Sequence, residues 1–191
     1  MARIIGISGS LRRESFNSSL LRAAVDVVPE GSTIEIASIR EIPLYDGDVE
    51  TTQGIPPSVQ ALKDLIASGD GLLIVTPEYN NSMSGVLKNA IDWLSRPAAD
   101  VGRVFRGRPV AITGATQGLG LTRLAQASLL PVLRTLGTMP WFEGRLEVAS
   151  AAKVFDKDGR IVDEAIRGRL ETFVKGFIQF VETAKAVRLK T

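Results

Sequence analysis

The sequence predicts a three-layer α/β fold, a five-stranded parallel sheet with helices on both faces. Three observations carry this. Short continuous apolar runs such as Gly71–Thr76 and Pro109–Thr113 read as strands buried on both faces, which is the habit of parallel sheets. Between the runs lie segments whose apolar residues recur at helical spacing. The chain has 191 residues, enough for one domain over 1–191 to bury a core without disulfides.

The elements follow in order. Residues 3–8 form the first strand, and 17–27 a helix with Leu20, Leu21, Ala24, Val27 and Val28 as its apolar positions. Residues 33–37 alternate and form a second strand. Residues 38–57 are a long connection containing Pro and Asp. A helix over 58–68 turns Val59, Leu62, Leu65 and Ile66 to one face, and the strand over 71–76 is stopped by Pro77. A helix over 85–95, a strand over 109–113 and a helix around 120–136 come next. A last strand lies within 138–148, interrupted at Pro140. After the turn at 156–159, an amphipathic helix over 162–186 closes the chain.

Composition excludes several mechanisms. The chain has no Cys, so thiolate catalysis, disulfides and thiolate metal sites are out. It has no His, so imidazole triads and imidazole acid–base chemistry are out as well. Chemistry must come from carboxylates, Lys, Tyr, Ser, backbone dipoles or a cofactor. Asp46 and Asp48 alone make a poor metal site, and none is expected. A net charge of +2, spread along the chain apart from Arg188 and Lys190, gives no nucleic-acid footprint. No apolar run reaches the ~20 residues of a membrane span, and the N-terminus lacks a secretion signal, so a cytoplasmic protein is expected.

In open parallel sheets, ligands bind beyond the carboxyl ends of the strands, where strand order reverses. That rule selects three loops. In Ser8–Asn17, Ser10, Ser15 and Asn17 supply donors and Arg12 a full charge at a helix N-terminus, with Phe16 among them. The set suits a phosphate, although it is neither a P-loop nor GxGxxG; helix capping by Ser15 or Asn17 is the structural alternative. In Thr76–Gly85, small and polar residues let backbone amides approach a flat ring, and Tyr79 can wall a planar heterocycle; a surface tyrosine covering the loop is the structural alternative. The Glu78 carboxylate reads as a solvated loop group rather than a base. The third loop, Thr113–Gly120, contains Gly114, Ala115, Thr116, Gln117 and Gly118. As a string it fits the TGxxxGxG loop of short-chain dehydrogenases. Here, however, it follows the fourth strand, and neither Tyr45 nor Tyr79 has a Lys four positions on. Trp93 and Trp141 read as core anchors, Met83 as a filler at the pocket rim, and Lys88 and Asp92 as a pair one helical turn apart.

Three segments together resemble a known family: Gly9-Ser10-Leu11-Arg12-x-x-Ser15-x-Asn17, Thr76-Pro77-Glu78-Tyr79-Asn80-x-Ser82, and Gly85-x-Leu87-Lys88-Asn89-Ala90-Ile91-Asp92-Trp93-Leu94. They are similar to the NADPH-dependent FMN reductases, most of all to the bacterial quinone and chromate reductases. Ile42-Pro43-Leu44-Tyr45-Asp46 is similar too, and the likeness spans nearly the whole chain. The resemblance implies a flavodoxin-like fold with strand order 2-1-3-4-5, noncovalent FMN, NADPH or NADH as donor, and a homodimer or homotetramer. It implies that Ser10, Arg12, Ser15 and Asn17 hold the FMN phosphate and that Pro77, Glu78, Tyr79 and Asn80 line the isoalloxazine, largely through backbone N–H groups. Gly114 to Gly118 would close the other side. Relatives often carry Ser at Thr116 or Gln117 and an aromatic at Asn81.

The implied activity is an FMN-dependent NAD(P)H:acceptor oxidoreductase. Hydride would pass from the nicotinamide to flavin N5, and two electrons on to a quinone-like, azo, chromate or flavin acceptor. No side chain would act as acid or base. Two alternatives stand beside it: a flavodoxin-like electron-transfer module without its own NAD(P)H oxidation, and a reductase that supplies reduced FMN to a monooxygenase.

Overall fold

The computed structural model describes residues 1–188; Lys190 and the Arg188 side chain lie outside the described residues. Four parallel strands make the body of the sheet: β1 (Arg3–Ser8), β2 (Thr33–Ala37), β3 (Gly71–Val75) and β4 (Pro109–Ala115). Two short strands complete one edge, β5 (Met139–Pro140) and β6 (Glu147–Val148). The order is β2-β1-β3-β4-β5, with β6 pairing β4 beyond the end of β5. Register follows the apolar runs, with Ile5 opposite Leu72 and Ile74 opposite Ile112.

Successive strand residues point to opposite faces, so each strand feeds two cores. Ile4, Leu73, Val75 and Ala111 pack under α1 (Phe16–Asp26) and α8 (Glu164–Arg188). Ile5, Ile7, Leu72, Ile74 and Val110 pack under α3 (Pro57–Ser68), α4 (Gly85–Leu94) and α6 (Arg123–Thr135). These are the three layers the apolar pattern predicts, and the five long helices are the five expected ones. Trp93 is fully buried, and Met83 belongs to the α3–α4–α6 core. Lys88 Nζ lies 2.7 Å from Asp92.

Four differences from the sequence reading have physical reasons. The 38–57 connection contains α2 (Gly47–Gln53), capped by Asp46, whose carboxylate accepts from Asp48 N at 2.8 Å. None of its residues is buried, so no apolar stripe announces it. The short helices α5 (Val101–Val104) and α7 (Ala151–Val154) are single turns below the reach of periodicity. The last strand is two strands, because the chain leaves the sheet edge at Trp141. That ring turns toward α8, 5.3 Å from Phe173 and 5.8 Å from Phe177. α6 starts at Arg123 rather than 120, since Leu121 and Thr122 adopt left-handed backbone with φ of 61° and 53°.

Candidate functional site

β2 and β3 flank β1 on opposite sides, so the chain reverses direction across the sheet there. The crevice between the carboxyl ends of β1 and β3 is therefore the place where this class of sheet binds ligands. The loops after β1, β3 and β4 meet at it. They enclose a cleft of about 220 Å³ lined by Ser10, Arg12, Ser15, Phe16, Asn17, Pro77, Glu78, Tyr79, Ala115, Thr116 and Gln117. Every one of these is a residue the sequence singles out. Asn80, Gly114 and Gly118 lie beside the cleft without lining it.

At the first loop, Ser15 is the N-cap of α1 and its Oγ accepts from Ser18 N at 3.3 Å. The N–H groups of Phe16 and Asn17, in the first turn, have no intrahelical acceptor. The positive end of the helix dipole adds to them. Ser10 is 8% exposed, and its hydroxyl makes no hydrogen bond among the described residues. Arg12 is exposed and has no ion pair among them. Phe16 packs on Phe155 with centroids 5.8 Å apart, which fixes the near end of the helix.

The second loop turns tightly. Tyr79 N donates to Ser82 O and Ser82 N to Tyr79 O, both at 3.0 Å, with Asn80 and Asn81 at φ of 50° and 61°. Two consecutive positive φ values make this a type I′ turn, and Asn is among the few residues that tolerate it. The Tyr79 ring is left half-exposed at the cleft. Asn80 thereby has a conformational role that its place in the motif does not reveal.

Three ties hold the loops together. Asn17 Nδ2 donates to Ala115 O at 3.0 Å, and Ala115 N donates to Asn17 Oδ1 at 2.9 Å, joining the first loop to the third. Ser84 Oγ donates to Gly9 O at 2.5 Å, joining the second to the first. Glu78 Oε2 accepts from Leu124 N at 2.8 Å and Ala125 N at 3.0 Å, joining the second to α6. This corrects the expectation that the Glu78 carboxylate is a solvated loop group. No local signal could have found the contact, since its partners lie 46 and 47 residues on. Ser84 has a visible signal as the N-cap of α4, but its tie to Gly9 has none.

At the third loop, a Cβ on Gly114 would sit 2.2 Å from Thr76 O, so only glycine admits so close an approach of the two loops. Thr116 N donates to Val148 O at 2.9 Å, and Thr116 Oγ1 accepts from Gly118 N at 3.2 Å. The Thr116 hydroxyl proton stays available to a ligand. Among the described residues no group of His, Cys, Asp or Glu could hold a metal, and no helix is long and apolar enough to cross a membrane.

The donor set suits a phosphate dianion at the first loop and a flat ring with acceptor edges at the other two. The NADPH-dependent FMN reductase family model matches residues 2–153, most of the chain. The chain belongs to this family. A relative in Pseudomonas aeruginosa, an NAD(P)H-dependent FMN reductase, is 46% identical over 165 residues, covering 86% of this chain and 87% of its own. A quinone reductase of Escherichia coli is 35% identical over 188 residues, covering 96% and 97%. Among solved structures, FerB, a flavoenzyme NAD(P)H:(acceptor) oxidoreductase from Paracoccus denitrificans, superposes with a TM-score of 0.86 at 32% identity, covering 96% and 99%. As a member of the FMN reductase family, the chain is an oxidoreductase that uses FMN and a reduced nicotinamide.

Proposed function

We propose that this chain is an FMN-dependent NAD(P)H:quinone oxidoreductase whose flavin site is the cleft of the three loops. The observation that carries the reading is the convergence at the β1–β3 crevice of a bare helix N-terminus, the Ser10 hydroxyl, the Arg12 guanidinium and the half-exposed Tyr79. Bound FMN supplies the redox chemistry, taking two electrons from the reduced nicotinamide and passing them to the acceptor.

The protein's part is position and electrostatics. The N–H groups of Phe16 and Asn17, the Ser10 and Ser15 hydroxyls and Arg12 hold the phosphate. The Asn17 amide acts through its tie to Ala115. Pro77, Glu78, Tyr79 and Asn80 line the ring side through backbone and the tyrosine face, and Gly114, Ala115, Thr116, Gln117 and Gly118 wall it opposite. At about 220 Å³ the cleft is smaller than one that engulfs its ligand; such pockets run ~300–1,000 Å³.

A homodimer or homotetramer belongs to the same proposal, supported by the exposed apolar side chains Leu44, Leu119 and Phe142. So does one domain over the whole chain, supported by strands that feed two cores on one continuous sheet. A cytoplasmic location, with which the cysteine-free composition is compatible, belongs to the same proposal. The test is a panel of acceptors with purified protein, FMN and either nicotinamide. Steady NADPH oxidation with a benzoquinone and no second protein is expected. Flavin uptake without such turnover would favour an electron-transfer module instead.

A further inference from the structure

α6 begins without a cap of its own. Its N-cap residue, Thr122, makes no side-chain capping bond and sits at φ 53°, preceded by Leu121 at φ 61°. Left-handed non-glycine residues persist only where their surroundings fix them. An acceptor for the first turn comes instead from the second loop. The Glu78 carboxylate takes two N–H groups of the first turn, those of Leu124 and Ala125. Its charge also faces the positive end of the helix dipole. Thr122 is fully buried, and its hydroxyl accepts from Gln126 Nε2 at 3.1 Å. The same hydroxyl lies within 2.6 Å of where a Cβ on Gly114 would stand. A chain of contacts thus runs from the second loop through Glu78 to the start of α6, and back through Thr122 to the third loop. Glu78 also lines the cleft.

We propose that Glu78 is a positioning residue with two effects, an inference that rests on the FMN reading of the cleft. By capping α6 from the second loop, it holds the second and third loops at a fixed spacing. By keeping a negative charge beside the bound flavin, it holds the flavin's potential lower than a neutral side chain would. Both effects act through the loops and the field, with no proton transferred by Glu78.

Glu78→Gln and Glu78→Ala separate the two. Three quantities are read: amide hydrogen exchange at Leu124 and Ala125 in the apoprotein, FMN affinity, and the midpoint potential of the loaded protein. Glu78→Gln keeps an oxygen for both N–H groups and removes the charge. It should bind FMN within about threefold of wild type and shift the potential to a more positive value. Glu78→Ala removes the cap. It should speed exchange at Leu124 and Ala125 at least tenfold and weaken FMN at least tenfold. A folded Glu78→Ala with wild-type affinity and exchange overturns the capping effect. A Glu78→Gln with wild-type potential overturns the charge effect. If Glu78→Ala does not fold, the potential of Glu78→Gln still decides the charge effect, and exchange at Leu124 and Ala125 in the wild-type apoprotein decides the cap: protection of both amides is expected, and exchange as fast as that of an unbonded first-turn amide overturns it. Failure of wild type to bind FMN would overturn the flavin reading, whereas exchange in the apoprotein reports on the cap regardless.

Discussion

Asn17 and Arg12 stand five residues apart in the same loop and do different work. Both ends of the Asn17 amide are bonded to the Ala115 backbone, and the residue is 4% exposed. Asn17→Ala leaves a buried N–H and C=O unpaired, so it should cost ~1–3 kcal/mol of stability and weaken FMN as well, measured by urea unfolding and by FMN titration. Arg12 has no ion pair among the described residues. Arg12→Ala should therefore leave the unfolding midpoint of the apoprotein unchanged while weakening FMN by ~1.5–3 kcal/mol. A shared loss of stability in both variants would show that Arg12 is structural. Gly114→Ala meets the Thr76 carbonyl, 2.2 Å from the new Cβ. Two loops would have to part, so stability should fall by ~1–3 kcal/mol or more and FMN affinity with it.

At the scale of elements, the clearest prediction concerns the link between α3 and the segment after α4. Lys63, fully buried on α3, donates to the Arg96 carbonyl and lies 3.0 Å from Asp100. The Lys63 hydrogen bond, against the opposing effect of burial, holds the Asp100 carboxyl below its ordinary value. A carboxyl whose folded value is depressed binds more protons in the unfolded chain. Its contribution is present above the unfolded value, ~3.9, and lost as pH falls through the folded one. Stability of wild type should fall below pH ~4, and Asp100→Asn should flatten that fall, as followed by thermal unfolding across an acid series.

The elements also show what the sequence can announce. Strands buried on both faces and helices with an apolar stripe are written in periodicity, and β1, β3, β4, α1, α3, α4, α6 and α8 are all legible there. α2 is not, because it buries nothing and rests on its Asp46 cap. The interruption of the last strand is half-legible: Pro140 marks it, but the turn of Trp141 onto Phe173 and Phe177 is a tertiary fact. The site behaves alike. Its donors cluster in three loops that a topological rule can select, whereas the ties Asn17–Ala115, Ser84–Gly9 and Glu78–Leu124 join residues far apart in the chain.

For the whole molecule, the absence of Cys and His acquires a specific meaning. A reaction whose reactive atoms belong to FMN needs neither, and the fold contributes a crevice, a helix dipole and fixed loops. Single side-chain changes at the cleft should then lower affinity or shift potential rather than abolish turnover outright. The central claim is that three loops at the β1–β3 crevice form one flavin site, and it is tested most directly by titrating the apoprotein with FMN and following flavin fluorescence. Saturable binding of one FMN per chain is predicted, at least tenfold weaker in Arg12→Ala. An absence of saturable binding in wild type, or equal affinity in Arg12→Ala, would contradict it.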